Sequence, residues 1–181
     1  ICIISLPLWK KNETDRQEEK EETAGIREAL KRPGVVLTLI AFFAYCSGEA
    51  TCFLWTSSYF AGVKEGLSDR LIASFGSLIF GGLMLGRLIS GFVSNRLGDR
   101  RLIRIGILVE VPGILLVMIP VESYIPAAIG FAVIGIGMGP VYPAIQHMAP
   151  TNFGEKYSAS VIGLQMASAY VGSTLMPMVF G

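Results

Sequence analysis

The chain contains 181 residues, of which 52% are hydrophobic and only 16% are charged, a composition that excludes an ordinary water-soluble domain. Its 15 Lys and Arg residues nearly balance its 14 Asp and Glu residues, for a formal net charge of +1, so no nucleic-acid partner is indicated. The charges are unevenly distributed, because residues 10–32 hold 14 of them and residues 157–181 hold none. Such segregation is typical of a chain that crosses a lipid bilayer.

The start of the chain combines a short apolar stretch with a highly charged one. Residues 1–9 read ICIISLPLW, without the preceding basic stretch or the following small-residue cleavage site that a signal peptide needs. We interpret them as the end of a truncated transmembrane helix. Residues 10–34 mix both signs of charge and are predicted to form a solvated cytoplasmic loop, with a short surface helix near residues 23–31.

Residues 35–181 are predicted to form an all-α, polytopic transmembrane helical bundle. A bilayer-spanning helix needs about 20 mostly apolar residues, and five segments of that size occur, at about 35–60, 71–94, 102–121, 124–149 and 157–181. The connections are short, which predicts that consecutive helices are antiparallel neighbours. Because 12 of the 15 basic residues fall on one side of this arrangement, residues 10–34 are placed in the cytoplasm and the chain in the cell membrane.

A polar stripe is predicted along the first full segment. Glu49 lies near its middle, and an ionisable group inside a membrane helix usually faces a cavity or a partner. Tyr45 and Thr56 share its helical face, so the stripe is expected to line a solute path in which Glu49 binds a hydroxyl or amine, or exchanges a proton. The alternative is a carboxyl held by interhelical hydrogen bonds.

Polar residues of two later segments are assigned to the same cavity. Tyr142 lies within the Gly139–Pro143 stretch, which is expected to bend or break its helix. Gln165 is the most internal polar side chain of the last segment, and it either contacts a polar solute or joins two helices by hydrogen bonding.

Arg87 and Glu110 form a second predicted feature. Each lies eight residues from the short turn that joins their helices, so both are about 12 Å from it at helical rise. At matching depth, an ion pair would offset part of the cost of burying the two charges. A direct role of either residue in binding a solute or a proton is the alternative.

Motifs for catalysis and for ATP-driven transport are absent. The sequence has one His without a nearby Ser or Cys partner, and no phosphate-binding GxxxxGK[ST] motif. Its three Cys residues lack metal-ligand spacing. We therefore expect no enzyme activity, no cofactor and no metal.

The turn between the second and third segments carries a recognisable motif. It reads GFVSNRLGDRR, from Gly91 to Arg101, and resembles motif A of the major facilitator superfamily, a Gly-x-x-x-Asp-Arg-x-Gly-Arg-Arg pattern. The matching residues are Gly91, Arg96, Gly98, Arg100 and Arg101. The sequence departs from the motif at Asn95, where the family usually has Asp, and at the additional Asp99. The resemblance implies that Arg96, Arg100 and Arg101 belong to a conformational-switch loop on the cytoplasmic side. The alternative is that these charges only set the topology of the chain.

The same resemblance implies a position within the superfamily fold. The chain is similar to the second half, from the end of helix 6 through helices 7 to 11, with helix 12 missing. GEATCFLW, GMGPVYPAI and APTNFGEKYSASVIGLQM resemble the fucose permease-like branch of sugar:proton symporters. In that branch, coupling carboxylates tend to lie in the amino-terminal half, which favours a place for Glu49 in the solute cavity.

By resemblance, the expected function is secondary active transport by alternating access. The solute is expected to be small and polar, a sugar being one candidate, and protons are the expected coupling ion. The expected partners are the lipid bilayer and the missing amino-terminal half of the same chain. The alternatives are an exporter of drugs or other metabolites from the same superfamily, and a membrane receptor or scaffold that transports nothing.

Overall fold

The computed structural model describes residues 25–63 and 66–180, and all regular secondary structure in these residues is helical. The helices are α1 (Ile26–Leu30), α2 (Val35–Val63), α3 (Asp69–Leu97), α4 (Asp99–Met118), α5 (Ile125–Met138), α6 (Val141–Phe153) and α7 (Glu155–Phe180). The all-α class predicted from the sequence is therefore confirmed. The helix end predicted at residues 1–9, and most of the loop predicted at residues 10–34, lie outside the described residues.

Three stretches among the described residues are long and apolar enough to cross a membrane: Val35–Gly62, Asp69–Leu97 and Ile125–Phe153. The last of these combines α5 and α6. The helix α4 falls short because Asp, Glu and Arg side chains recur along it, and α7 falls short because Ser, Thr and Gln residues dilute its apolar content. Both nevertheless belong to the same bundle, with α4 packed along α5 and α7 packed along α2.

Helix α5 lies between α3 and α4 and contacts both at glycines. A Cβ atom added to Gly135 would come 2.4 Å from the carbonyl oxygen of Ile79 in α3. On the opposite side, a Cβ atom on Gly106 of α4 would lie 2.5 Å from the carbonyl oxygen of Gly137. Small residues allow helix backbones to approach this closely in membranes.

The position of α5 corrects the prediction that all consecutive helices are neighbours. The helices α3 and α4 are joined by a single glycine, yet they make few contacts with each other because α5 occupies the space between them. A short turn therefore constrains the ends of these two helices and leaves their middles apart.

A second group of helices forms around α2. Along α7, a Cβ atom on Gly172 would lie 2.6 Å from the hydroxyl oxygen of Ser47. At the end of the bundle that holds α1, four buried side chains from α1, α2, α6 and α7 form a cluster: Ala29, Val35, Ala149 and Val161. The predicted loop helix near residues 23–31 is thus present as α1, and its Ala29 is buried in the bundle.

The predicted break in the fourth segment occurs at Gly139 and Pro140, between α5 and α6. Both residues keep right-handed helical backbone angles, so the axis continues while the hydrogen-bond ladder is interrupted. Pro140 and Pro143 lack backbone N–H groups, which removes two donors from this turn. Tyr142 and the rest of α6 follow this interruption in the chain, after the glycines through which α5 contacts α3 and α4.

The glycine contact between α3 and α5 is testable with a pair of substitutions on one helix. A Cβ atom on Gly86 would lie 2.3 Å from the carbonyl oxygen of Ile136, whereas one on Gly81 would meet nothing within 4 Å. We expect Gly86→Ala to lower the free energy of unfolding by about 1–3 kcal/mol through overpacking. Gly81→Ala is expected to be neutral or slightly stabilising. Equal effects in denaturant unfolding of the purified protein would contradict the close contact.

Candidate functional site

The central polar contact of the bundle is an ion pair between α2 and α3. Nη2 of Arg87 lies 3.6 Å from Oε1 of Glu49. The Glu49 side chain is only 13% exposed, whereas that of Arg87 is 48% exposed. The carboxylate is therefore held inside the bundle, and part of the guanidinium is free to meet another molecule.

This contact corrects the predicted pair of Arg87 with Glu110. The helical rise places the two residues at matching depth, but α5 lies between their helices, and Arg87 turns to Glu49 instead. Glu110 packs against α5, where a Cβ atom on Gly137 would come 2.6 Å from its Cγ. Its Oε1 is buried without a hydrogen-bond partner.

Two tyrosines surround the ion pair. The hydroxyl of Tyr45 donates a hydrogen bond of 2.7 Å to the carbonyl of Met138, the last residue of α5. The Arg87 guanidinium carbon lies 5.8 Å from the centre of the Tyr142 ring, within the range of a cation–π interaction. The predicted residues Tyr45, Glu49 and Tyr142 are thus brought together, around an arginine that the sequence assigned to a different pair.

A cleft of about 680 Å³ begins at this cluster and lies between α3, the α3–α4 turn and α6. This volume is within the usual range for small-molecule sites. Its polar wall consists of Arg87, Ser90, Ser94, Asn95, Asp99, Tyr142 and His147. Its apolar wall includes Leu102, Pro140, Pro143 and Ala144. Hydrogen-bond donors, acceptors and an aromatic ring therefore face one space together with a hydrophobic surface.

The turn with the motif A resemblance forms one end of this cleft. Gly98 is the C-cap residue of α3 and the N-cap residue of α4, and its φ is +74°. The turn therefore needs the conformational freedom of glycine at this position. Gly91 and Asn95 also line the cleft. The basic residues of the turn, Arg96, Arg100 and Arg101, are exposed.

Asp99, the additional residue in the motif, connects the turn to α6. Its Oδ2 lies 2.8 Å from Nδ1 of His147, and the His147 side chain is 82% exposed. The departure from the motif marks Asp99 in the sequence, but its partner His147 lies 48 residues later, beyond the reach of a local pattern. Both residues belong to the wall of the cleft, so the contact joins the α3–α4 turn to α6 across it.

The predicted cavity residues Thr56 and Gln165 do not reach the cleft. Thr56 is 1% exposed and its hydroxyl donates to the carbonyl of Cys52 in its own helix. Gln165 is fully buried, and neither atom of its side-chain amide has a hydrogen-bond partner. The cleft, with Arg87 and Tyr142 in its wall, can bind a polar solute. Residues 25–63 and 66–180 contain no group of three or more His, Cys, Asp or Glu that could hold a metal ion.

Comparisons with known proteins identify a family and a distant relative of this chain. A sequence profile of the Major Facilitator Superfamily matches residues 1–177. The tetracycline resistance protein, class E, of Escherichia coli is 28% identical over 177 residues, which cover 94% of this chain and 40% of that protein. The chain thus spans less than half the length of this curated relative. No solved structure matches it.

The ion pair is testable with two double-mutant cycles in unfolding experiments. For Glu49→Gln combined with Arg87→Met, we expect a coupling energy of about 0.5–3 kcal/mol, because the two side chains are in contact. The matched cycle combines Glu110→Gln with Arg87→Met and is expected to be additive. Coupling in the second cycle and additivity in the first would restore the pair that the sequence analysis predicted.

Proposed function

Because the chain belongs to the major facilitator superfamily, we propose that it is the carboxyl-terminal half of a secondary active transporter. The proposed activity is movement of a small solute across the membrane by alternating access, with a site at the interface between the two halves. The observation that carries this proposal is the half-exposed Arg87 guanidinium, which lines a cleft and lies beside the mostly buried Glu49 carboxylate. A receptor or scaffold would not need a charged pair in such a place.

The chemistry of the cluster favours a polar solute. The Arg87 guanidinium can donate hydrogen bonds to a solute, the Glu49 carboxylate can accept hydrogen bonds from a solute, and the Tyr142 ring offers a flat apolar surface. A hydroxyl group both donates and accepts, so neighbouring hydroxyls of one solute match the pair without changing its net charge. A sugar fits this description, as the resemblance to the fucose permease-like branch implies.

A second candidate, an exporter of drugs, has support of its own. The relative from Escherichia coli is named for resistance to tetracycline. The wall formed by Leu102, Pro140, Pro143 and Ala144 offers an apolar surface on which a larger, flatter solute can pack. Protons are the proposed coupling ion for either candidate.

We assign the conformational switch to the α3–α4 turn. In this proposal, the exposed Arg96, Arg100 and Arg101 face the cytoplasm, where they pair with carboxylates or helix carboxyl ends in one state and release them in the other. The contact between Asp99 and His147 joins this turn to α6. Closure and opening of the cleft mouth therefore involve that contact.

The solute class is testable by thermal stabilisation of the purified full-length protein. A solute that binds the folded protein stabilises it by about 2.7 kcal/mol at 100 times its dissociation constant. We expect one class in a panel of sugars, peptides and drugs, with tetracycline included, to raise the melting temperature. Glu49→Gln should weaken that stabilisation and reduce uptake about tenfold or more, since a hydrogen bond to a charged group is lost. The control is Glu122→Gln, at an exposed position outside the cleft; identical losses in both variants would remove Glu49 from the site.

The role of the Asp99–His147 contact is testable by thiol accessibility. Ser90 lines the cleft and is 7% exposed, so a cysteine placed there, in an otherwise cysteine-free protein, reports opening of the mouth. Asp99→Asn weakens the contact with His147, and because an exposed polar contact of this kind is worth about 0.2–1 kcal/mol, the labelling rate should rise about 1.5- to 5-fold. Asp69→Asn, at the opposite end of α3, should leave the rate unchanged. No difference between the two variants would exclude a gating role for Asp99.

A further inference from the structure

The Glu110 carboxyl is an acid without a partner inside the bundle. Its Oε1 has no access to solvent and accepts no hydrogen bond, and the residue as a whole is half-buried. The close approach of Gly137 to the Glu110 Cγ leaves the side chain little room to turn away. An ionised carboxylate in an environment of low dielectric constant costs several kcal/mol unless it is paired and hydrogen-bonded.

The helices packed against α4 supply no positive charge to Glu110. The helix α5 contains no titratable residue. In α6, His147 is held by Asp99, which lies eleven residues before Glu110 and so about 16 Å away along α4. In α3, Arg87 is engaged with Glu49.

Two titratable side chains of α2, a phenol and a thiol, interact electrostatically with Glu110. Tyr45 and Cys52 of α2 lie close enough to interact electrostatically with both Glu110 and Glu49. The hydroxyl of Tyr45 already donates to the Met138 carbonyl, so it does not satisfy the buried oxygen of Glu110. The carboxyl groups of Glu49 and Glu110 therefore both lie near one face of α2. The Arg87 guanidinium pairs with only one of them, Glu49.

We propose that Glu110 is a proton-binding site of the carboxyl-terminal half, and that its carboxyl carries a proton in the conformation described here. The bound proton removes the charge that neither a cation nor a hydrogen bond compensates. It is released to water when a conformational change hydrates the carboxyl. As a step of proton coupling, this rests on the proposed transport function, and it adds an acidic site outside the amino-terminal half, where the resemblance implies that coupling carboxylates tend to lie.

Infrared spectroscopy of the purified full-length protein in lipid vesicles tests the bound proton directly, with the proton itself as the probe. A protonated carboxyl gives a C=O stretching band that shifts in D2O and is lost on ionisation. We expect Glu110→Gln to remove the contribution of one carboxyl per chain from this band. Glu122→Gln, at an exposed position, and Glu49→Gln should leave it unchanged. A band that is unaltered in Glu110→Gln would overturn the proposal.

Glu110→Asp keeps the test decisive if Glu110→Gln does not fold. This variant retains a carboxyl and should shift the frequency of the band, whereas an ionised residue 110 would leave the band where it is. The experiments distinguish a protein in which Glu110 holds no proton from a protein that transports no solute. An unaltered band would exclude the site even in an active transporter, whereas a protein that no solute stabilises would still show whether Glu110 holds a proton.

Discussion

The close contact of glycines on α5 with the backbones of α3 and α4 determines the rest of the arrangement. Gly135 lies against Ile79 and Gly82 on one side, and Gly137 lies against Gly106 and Glu110 on the other. Side chains larger than hydrogen do not fit at either contact, so the three helices form one layer with α5 in the middle. This layer separates Arg87 of α3 from Glu110 of α4, although the turn between their helices is a single glycine.

The distribution of charge inside the bundle follows from this separation. A charge in a membrane helix needs a partner or water, and the single guanidinium at this depth has Glu49 as its neighbour. Arg87 of this pair lines the cleft and supplies hydrogen-bond donors to it. Glu110, on the far side of α5, has no cation, and protonation is the simplest way for it to remain in the bundle.

Composition and periodicity predict much of this fold, whereas the lateral order of the helices is not encoded in loop length. The segment predicted at 35–60 occurs as α2, and the prolines near residue 140 predict the interruption between α5 and α6. Helical rise correctly places Arg87 and Glu110 at one depth, but it does not predict which helix lies between them. In the same way, Glu49 and Thr56 share a face of α2, yet a helix of 29 residues meets different neighbours along its length. Glu49 therefore pairs with Arg87, while Thr56 is buried.

The central claim, that Arg87 pairs with Glu49 because α5 separates it from Glu110, is most directly tested by solid-state NMR. The measurement is the dipolar coupling between 15N-labelled arginine side chains and 13C-labelled glutamate carboxyl groups in the full-length protein in lipid. We expect the coupling assigned to Arg87 to disappear in Glu49→Gln and to persist in Glu110→Gln. The reverse result, with the coupling lost only in Glu110→Gln, would contradict the arrangement of the three helices.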